Sequence, residues 1–426
     1  MVRRHAAARS EAEHGDDDGH EAMHRLALLA RFTSDKAALT RLYLTPEHKA
    51  AAGQVEAWMR EAGLATRLDA TGNVVGRLEG QTKDAPAVLI GSHIDTVRNA
   101  GKYDGNLGVV VAIQAMKRLK REGLGLPFAV EVIAFGDEEG VRFPVTLTGS
   151  KAVAGIFDPA TLEAKDHDGV TLFEALKSFG CDPGKILAIK RDPEKVVGYV
   201  EVHIEQGPVL EAHGLPVGVV TAISGASRLK VAIHGVAGHA GTVPMNLRHD
   251  AVAAAAEMIL AVERVALLRP DVVATVGEIE VPAGAVNTIA ANAQFSIDVR
   301  SPSDGLRHRT LREIRRAFEA IAAYRSVYFK MTSFYDVEAA VCSSAIVRAL
   351  ERSVAANHVS PFRLASGAGH DGLAMAKLAP FGMLFVRCKG GVSHNPAESV
   401  ETEDVRKATD VLADFLLSLE PKKIRR

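Results

Sequence analysis

Cysteine is scarce. Cys181, Cys342 and Cys388 are three in 426 residues, odd in number and far apart. That excludes a disulfide framework or a cysteine-based zinc site and leaves free thiols suited to a reducing compartment. Net charge is scarce too: 51 basic residues meet 52 acidic ones. So balanced a chain has no field to make nucleic acid or an anionic membrane its main partner. No apolar run is long enough to span a bilayer, and the opening MVRRHAAARSEAEHGDDDGHEAMH has no apolar signal core. Also missing are G-x-S-x-G, a Walker loop and any C-x-x-C. What remains is the expectation of a cytoplasmic enzyme or binding protein.

The chain has the composition of a soluble globular protein, 47% apolar and 24% charged, and at 426 residues it is long enough for two domains. Residues 1–22 are polar and low in complexity, and read as a disordered leader. TPEHKAAAGQVEAWMREAGL has helical spacing. The strand-like runs NVVGRLEG, APAVLIGSH, FAVEVIAFG and VVGYVEVHIEQG follow, with the helix GNLGVVVAIQAMKRLKREG among them. Continuous apolar strands alternating with helices predict an α/β fold, a mostly parallel sheet flanked by helices. The middle of the chain changes pattern. SRLKVAIHG, a helix capped by Asp250, VVATVGEIEV, AQFSIDVR, a second helix and SVYFKMTSF give the order β-α-β-β-α-β. This predicts an inserted α+β domain at 213–332, with a catalytic domain made of 23–212 and 333–426.

Two motif matches mislead. HEAMH, His20 to His24, fits H-E-x-x-H but straddles the edge of a charged leader with no third ligand in a suitable context. GAGHDG, Gly367 to Gly372, fits G-x-G-x-x-G, yet follows a poor core strand and has no acidic residue about twenty positions on. The stronger signal is distributed. His93, Glu138 with Glu139, His203 and His394 each lie at or just beyond the carboxyl end of a predicted strand, where sheets of this kind bind ligands, and Asp104 follows His93 on one connection. Singly, each is better explained as a satisfied or solvated polar group; together they point to a metal site. His93 and Asp95, two apart on an extended segment, point the same way, so the Asp95 carboxylate is expected to accept from the imidazole. Glu138 and Glu139 diverge as neighbours, which lets one bind metal while the other acts as general base.

GSHIDTV, GKYDGNLGV, GDEEGVRFP, EVHIEQGPVLE, GVAGHAGTVPM, VNTIAANAQFSIDVR, SGAGHDG and GGVSHNPAE together resemble the metal-dependent amidohydrolase branch of the M20 peptidase family, from about residue 25 to the C-terminus. That branch holds allantoate amidohydrolases, N-carbamoyl-L-amino-acid hydrolases and β-ureidopropionases. GGVSHNPAES, LTRLYLTPEHKAAAGQVEAWMREAGL and GNVVGRLEG are most similar to the allantoate amidohydrolases. The resemblance implies a metallopeptidase-like catalytic domain with two divalent metal ions, zinc or manganese. His93, Asp104 and His203 would hold one, and Asp104, Glu139 and His394 the other, with Asp104 bridging. It also implies Glu138 as the base, Gln206, His239, Asn287, Arg300 and His370 as substrate groups, and a homodimer paired through the inserted lid domain. Arg300 is expected to clamp the carboxylate of a small anionic ureido acid through two parallel hydrogen bonds. A dinuclear peptidase and a metal-bearing binding protein stay as alternatives.

Overall fold

The computed structural model describes residues 18–82 and 84–424. They form two compact units. The larger runs to Thr221 and resumes at Cys342–Leu364 and from Ala368; the smaller is Ala222–Val341 with Ala365–Gly367. The inserted unit thus begins and ends nine residues later than the 213–332 expected. Val217–Val220 are still paired with the large sheet, and the last strand of the small unit continues to Val337.

The strands that carry the two sheets are β1 Ala65–Leu68, β2 Val74–Leu78, β3 Ala87–His93, β4 Ala129–Phe135, β5 Val196–Ile204, β6 Val217–Ile223, β7 Gly225–His234, β8 Asn292–Ser301, β9 Tyr328–Val337 and β10 Phe381–Val386. The main helices are α1 at 18–29, α2 Pro46–Glu61, α3 Asn106–Arg121, α4 Ala251–Leu267, α5 Asp304–Arg325, α6 Ser344–Ala356 and α7 Thr402–Ser418. No described helix is long and apolar enough to cross a membrane.

The large sheet has the order β1-β2-β4-β3-β5-β10-β6. Its central strands β4, β3, β5 and β10 run parallel, and antiparallel pairs extend it at both ends. All four central strands are buried along their whole length, which is why their sequences are continuous apolar runs without alternation. Helices α3 and α7 pack on each other and on this sheet. Because the central strands share one direction, their carboxyl ends lie at one edge. The ladder sets His93 beside Phe135 and His203 beside Phe385.

Residues 1–17 lie outside the described residues, but 18–22, expected within the disordered leader, are helical. Ala22, Leu26 and Leu29 recur at helical spacing and are fully buried. Asp18 pairs with Arg121, and Glu21 with Arg25 and Lys117. The charge that looks like a solvated leader is thus neutralised by the basic end of α3. His20 and His24 are both exposed, and neither joins a candidate ligand cluster among the described residues.

In the smaller unit β8, β7 and β9 form an antiparallel sheet, with Phe295 opposite Val231 and Met331 opposite the same residue on the other side. VVATVGEIEV, read as one strand, is two short ones, Val273–Thr275 and Ile279–Glu280, both paired with β8. Asp250 caps α4 by accepting from Val252 and Ala253 N–H, as expected. Val231, Ile233, Phe295, Ile297 and Val299 pack against Met258, Val262, Ile314 and Phe318 of the two helices. The alternate residues Lys230, Gln294, Ser296, Lys330 and Thr332 line a cavity of about 480 Å³ on the uncovered face.

Candidate metal centre

β3 delivers His93 as its last residue and β5 delivers His203. The Nδ1 of His93 lies 3.0 Å from the Asp95 backbone oxygen, and that of His203 lies 3.0 Å from the Ile204 oxygen. A carbonyl only accepts, so both Nδ1 atoms carry hydrogen and both Nε2 atoms face the interior. There the two Nε2 atoms approach to 3.3 Å. At that distance a proton or a cation must sit beside the two ring nitrogens, and Gly105 N–H also donates to His203 Nε2 at 3.2 Å. Gly105, at φ +65, makes the approach possible: a Cβ there would lie 2.4 Å from the His93 ring.

Asp104 divides its two oxygens. Oδ1 is 3.6 Å from His93 Nε2 and 3.2 Å from His203 Nε2; Oδ2 is 3.3 Å from His394 Nε2, which is 3.6 Å from a Glu139 oxygen. His93, Asp104 and His203 converge within 4.8 Å, and so do Asp104, Glu139 and His394. Ligand atoms on a cation at about 2.1 Å stand about 3.4 Å apart when tetrahedral, so these separations suit two cations sharing one carboxylate.

The charges fit as well. Burial opposes a charged His93, yet Asp104, Glu138 and Asp95 outweigh it and hold the imidazole well above its usual range. Burial would raise Asp104, but His203, His394 and His93 keep it well below the usual carboxylate range. Burial pushes Glu138 well above that range, against the pull of His93 and with Glu139 and Asp371 adding to it. Glu139 is pushed up to about 7 by burial and by Asp104. Its Oε1 is buried with no hydrogen-bond partner. Crowded carboxylates with an orphaned oxygen are a donor set that calls for positive charge, as dications supply. Three residues other than glycine around the centre, Asp137, Gln206 and His394, hold positive φ values of 68°, 57° and 53°. Such strain persists only where the surroundings impose it.

Asp95 differs from its expected role. Its carboxylate is 3.9 Å from His93 Nδ1, and it accepts instead from the backbone N–H of Glu138 and Glu139 at 3.2 and 3.3 Å. The imidazole is held by the Asp95 carbonyl; the side chain fixes the loop that carries the two glutamates. Gln206, expected to meet substrate, donates to Asp104 Oδ2 at 2.8 Å. His370 is buried with its ring 4.4 Å from that of His203, and burial followed by the His203 charge holds it neutral, well below its usual range.

His239, Asn287 and Arg300 belong to the smaller unit. A short ladder sets His239 opposite Thr288, and Ala240 N–H donates to the Asn287 oxygen at 3.0 Å. The parallel pair of bonds expected between Arg300 and substrate is made to Asp298, with Nε and Nη2 both at 2.9 Å, and Nη1 donates to the Gly367 oxygen. Two of its five N–H groups remain beyond these bonds.

Sequence reading missed the supports beneath the ligands. Buried Arg41 donates to the Ile94 oxygen and to Asn106, which in turn donates to the Asp104 oxygen. Glu398 accepts from Tyr103 and Asp104 N–H. Nothing in LTRLYL marks its arginine as buried, whereas Glu398, four residues past His394, is at least close to a motif.

Residues 89–418 match peptidase family M20/M25/M40. The chain is 42% identical to an N-carbamoyl-L-amino acid amidohydrolase of Geobacillus stearothermophilus, over 88% of this chain and 91% of that one. It is also 42% identical to an allantoate deiminase of Arabidopsis thaliana, over 93% of this chain and 82% of that one. A solved hydantoinase/carbamoylase family amidase from Burkholderia multivorans superposes with a TM-score of 0.89 at 30% identity, covering 96% of this chain and 98% of that one. The chain is a hydrolase and belongs to peptidase family M20/M25/M40.

Proposed function

We propose that the protein is an allantoate amidohydrolase, cleaving a ureido C–N bond of allantoate with water to give ureidoglycine, ammonia and carbon dioxide. The observation that carries this is the pair of converging ligand sets that share Asp104, with Glu138 beside them. His93, Asp104 and His203 would hold one divalent cation and Asp104, Glu139 and His394 the other. Bound there, zinc or manganese supplies carbonyl polarisation and a more acidic water. A ureido carbon needs both, since two nitrogens donate into it.

Glu138 takes the proton from the attacking water and delivers it to the leaving nitrogen. It lies 3.8 Å from His93 Nε2 and converges with His93 and Glu139, beside the two sets that share Asp104. Asp95 holds Glu138 and Glu139 in register through their backbone N–H groups. Gln206 fixes the bridging carboxylate, and neutral His370 faces the carbonyl end of the substrate. Arg300 meets the substrate carboxylate with the donors left over from Asp298, and His239 and Asn287 act beside it. The protein works as a homodimer in the cytoplasm, paired through the smaller unit. The exposed Leu267, Leu268 and Tyr324 of that unit support the pairing.

The second reading is an N-carbamoyl-L-amino-acid hydrolase, which the 42% identity to the Geobacillus protein favours equally. Ammonia release from allantoate and from a panel of N-carbamoyl-L-amino acids, with and without added Mn²⁺ or Zn²⁺, separates the two. Turnover of the carbamoyl compounds alone overturns the allantoate reading.

A further inference from the structure

Glu398 lies in no ligand set and has no role in the reaction described above, yet it joins the two loops that carry the second set. It is 5% exposed. Its Oε1 accepts from Tyr103 N–H at 2.7 Å and Asp104 N–H at 3.1 Å. Its Oε2 is 3.2 Å from the hydroxyl of Ser393, the neighbour of His394. The same hydroxyl is 2.8 Å from Asp104 Oδ2 and takes a hydrogen bond from Gln206 Nε2 at 3.1 Å. Gly101 leaves the space for this: a Cβ there would lie 2.3 Å from Glu398 Cβ. Ser393 has one hydroxyl hydrogen and two carboxylates within reach of it. A cation held by Asp104 would engage its carboxylate and leave the Ser393 hydroxyl to donate to Glu398.

We propose that Glu398 is a positioning residue that sets the distance between Asp104 and His394, so that binding of the second cation depends on it while binding of the first does not. The first set shares Asp104, but its two histidines stand on supports that do not involve Glu398. His93 and His203 sit on adjacent parallel strands, with their tautomers fixed by backbone carbonyls. His394 has no such strand beneath it. It sits on a loop at positive φ, half exposed, and Glu398 with Ser393 ties that loop to the Asp104 loop. The inference rests on the two-cation reading, and the experiment keeps the two separable.

The full chain is stripped with a chelator and titrated with Mn²⁺, following heat and the electron paramagnetic resonance spectrum. Wild type takes up two ions per chain and shows a spin-coupled pair. Glu398→Ala keeps one tight ion, binds the second at least tenfold more weakly and loses the coupled signal. Glu398→Gln retains an oxygen for the two N–H groups and recovers most of the second binding, which a purely structural defect would not do. Ser393→Ala, a smaller change that serves if Glu398→Ala does not fold, weakens the second ion and spares the first. Two ions at wild-type affinity in Glu398→Ala or Ser393→Ala overturn the inference and leave the two-cation reading intact. Fewer than two ions in wild type overturns both.

Discussion

In the larger unit His93, Asp104 and His203 are 1–2% exposed and surrounded by further carboxylates, while in the smaller unit Leu267 and Leu268 stand 77% exposed. The two units thus depart from ordinary burial in opposite directions. Buried charge costs several kcal/mol per ion unless it is paired or coordinates a metal, so the larger unit keeps its cluster only for a use. Exposed hydrocarbon costs little singly, and gathered on one small unit it suits association. Chemistry is therefore expected to fail when the first unit is altered, and assembly or substrate affinity when the second is.

The largest effect should come from Glu138→Gln. With the base gone and both ligand sets intact, kcat should fall roughly hundred- to ten-thousand-fold while metal content stays at wild type. Unchanged kcat would remove Glu138 from the mechanism. Next comes the core of the larger unit. Leu412, fully buried on α7, should cost about 2–5 kcal/mol as Leu412→Ala in urea unfolding. Its counterpart, Leu267→Ala on the smaller unit, should change monomer stability by about 0.5 kcal/mol or less but shift the dimer–monomer equilibrium seen by light scattering. A monomeric wild type, or an unmoved equilibrium, would break the contrast.

Arg300→Ala should raise KM roughly tenfold to hundredfold with little change in kcat, the loss of a hydrogen bond to a charged group. Asp298 keeps Arg228 as a partner at 3.0 Å, so the fold should hold. An unaltered KM sinks the carboxylate contact.

A further contrast concerns acid. His48 of the larger unit is buried, with Nδ1 accepting from Leu44 N–H at 3.0 Å. Burial, with Arg41 and Arg142, lowers it to about 3. The unfolded chain binds a proton near pH 6.5 and the folded chain does not. Stability from this group is therefore full above about 6.5 and falls toward pH 3, by up to about 1.4 kcal/mol per pH unit. Between pH 7 and 5 wild type should lose about 2 kcal/mol more than His48→Gln. Equal losses in the two proteins would assign acid sensitivity elsewhere.

The parallel strands, the inserted unit's order and the convergence of His93, Asp104, Glu139, His203 and His394 were legible because strand ends follow from apolar runs, where local pattern and topology agree. The helix at 18–29 was hidden because its charges look solvated until Arg121 and Lys117 of α3 are seen beside them. Asp95 was misread because extended spacing predicts which way a side chain points and not which donor reaches it first. Arg300 is similar: sequence shows a guanidinium at a strand end, and only the fold shows Asp298 already on it.

What the chain order alone determined was the list of chemically able groups and the edge of the sheet that gathers them, since strand direction follows from apolar runs and crossover helices. Tertiary structure decided which atom of each group faces which, because Glu398 accepts from Tyr103 and Asp104 N–H hundreds of positions away and Arg41 donates to the distant Asn106. Such bonds depend on distance in space, and no spacing along the chain encodes them.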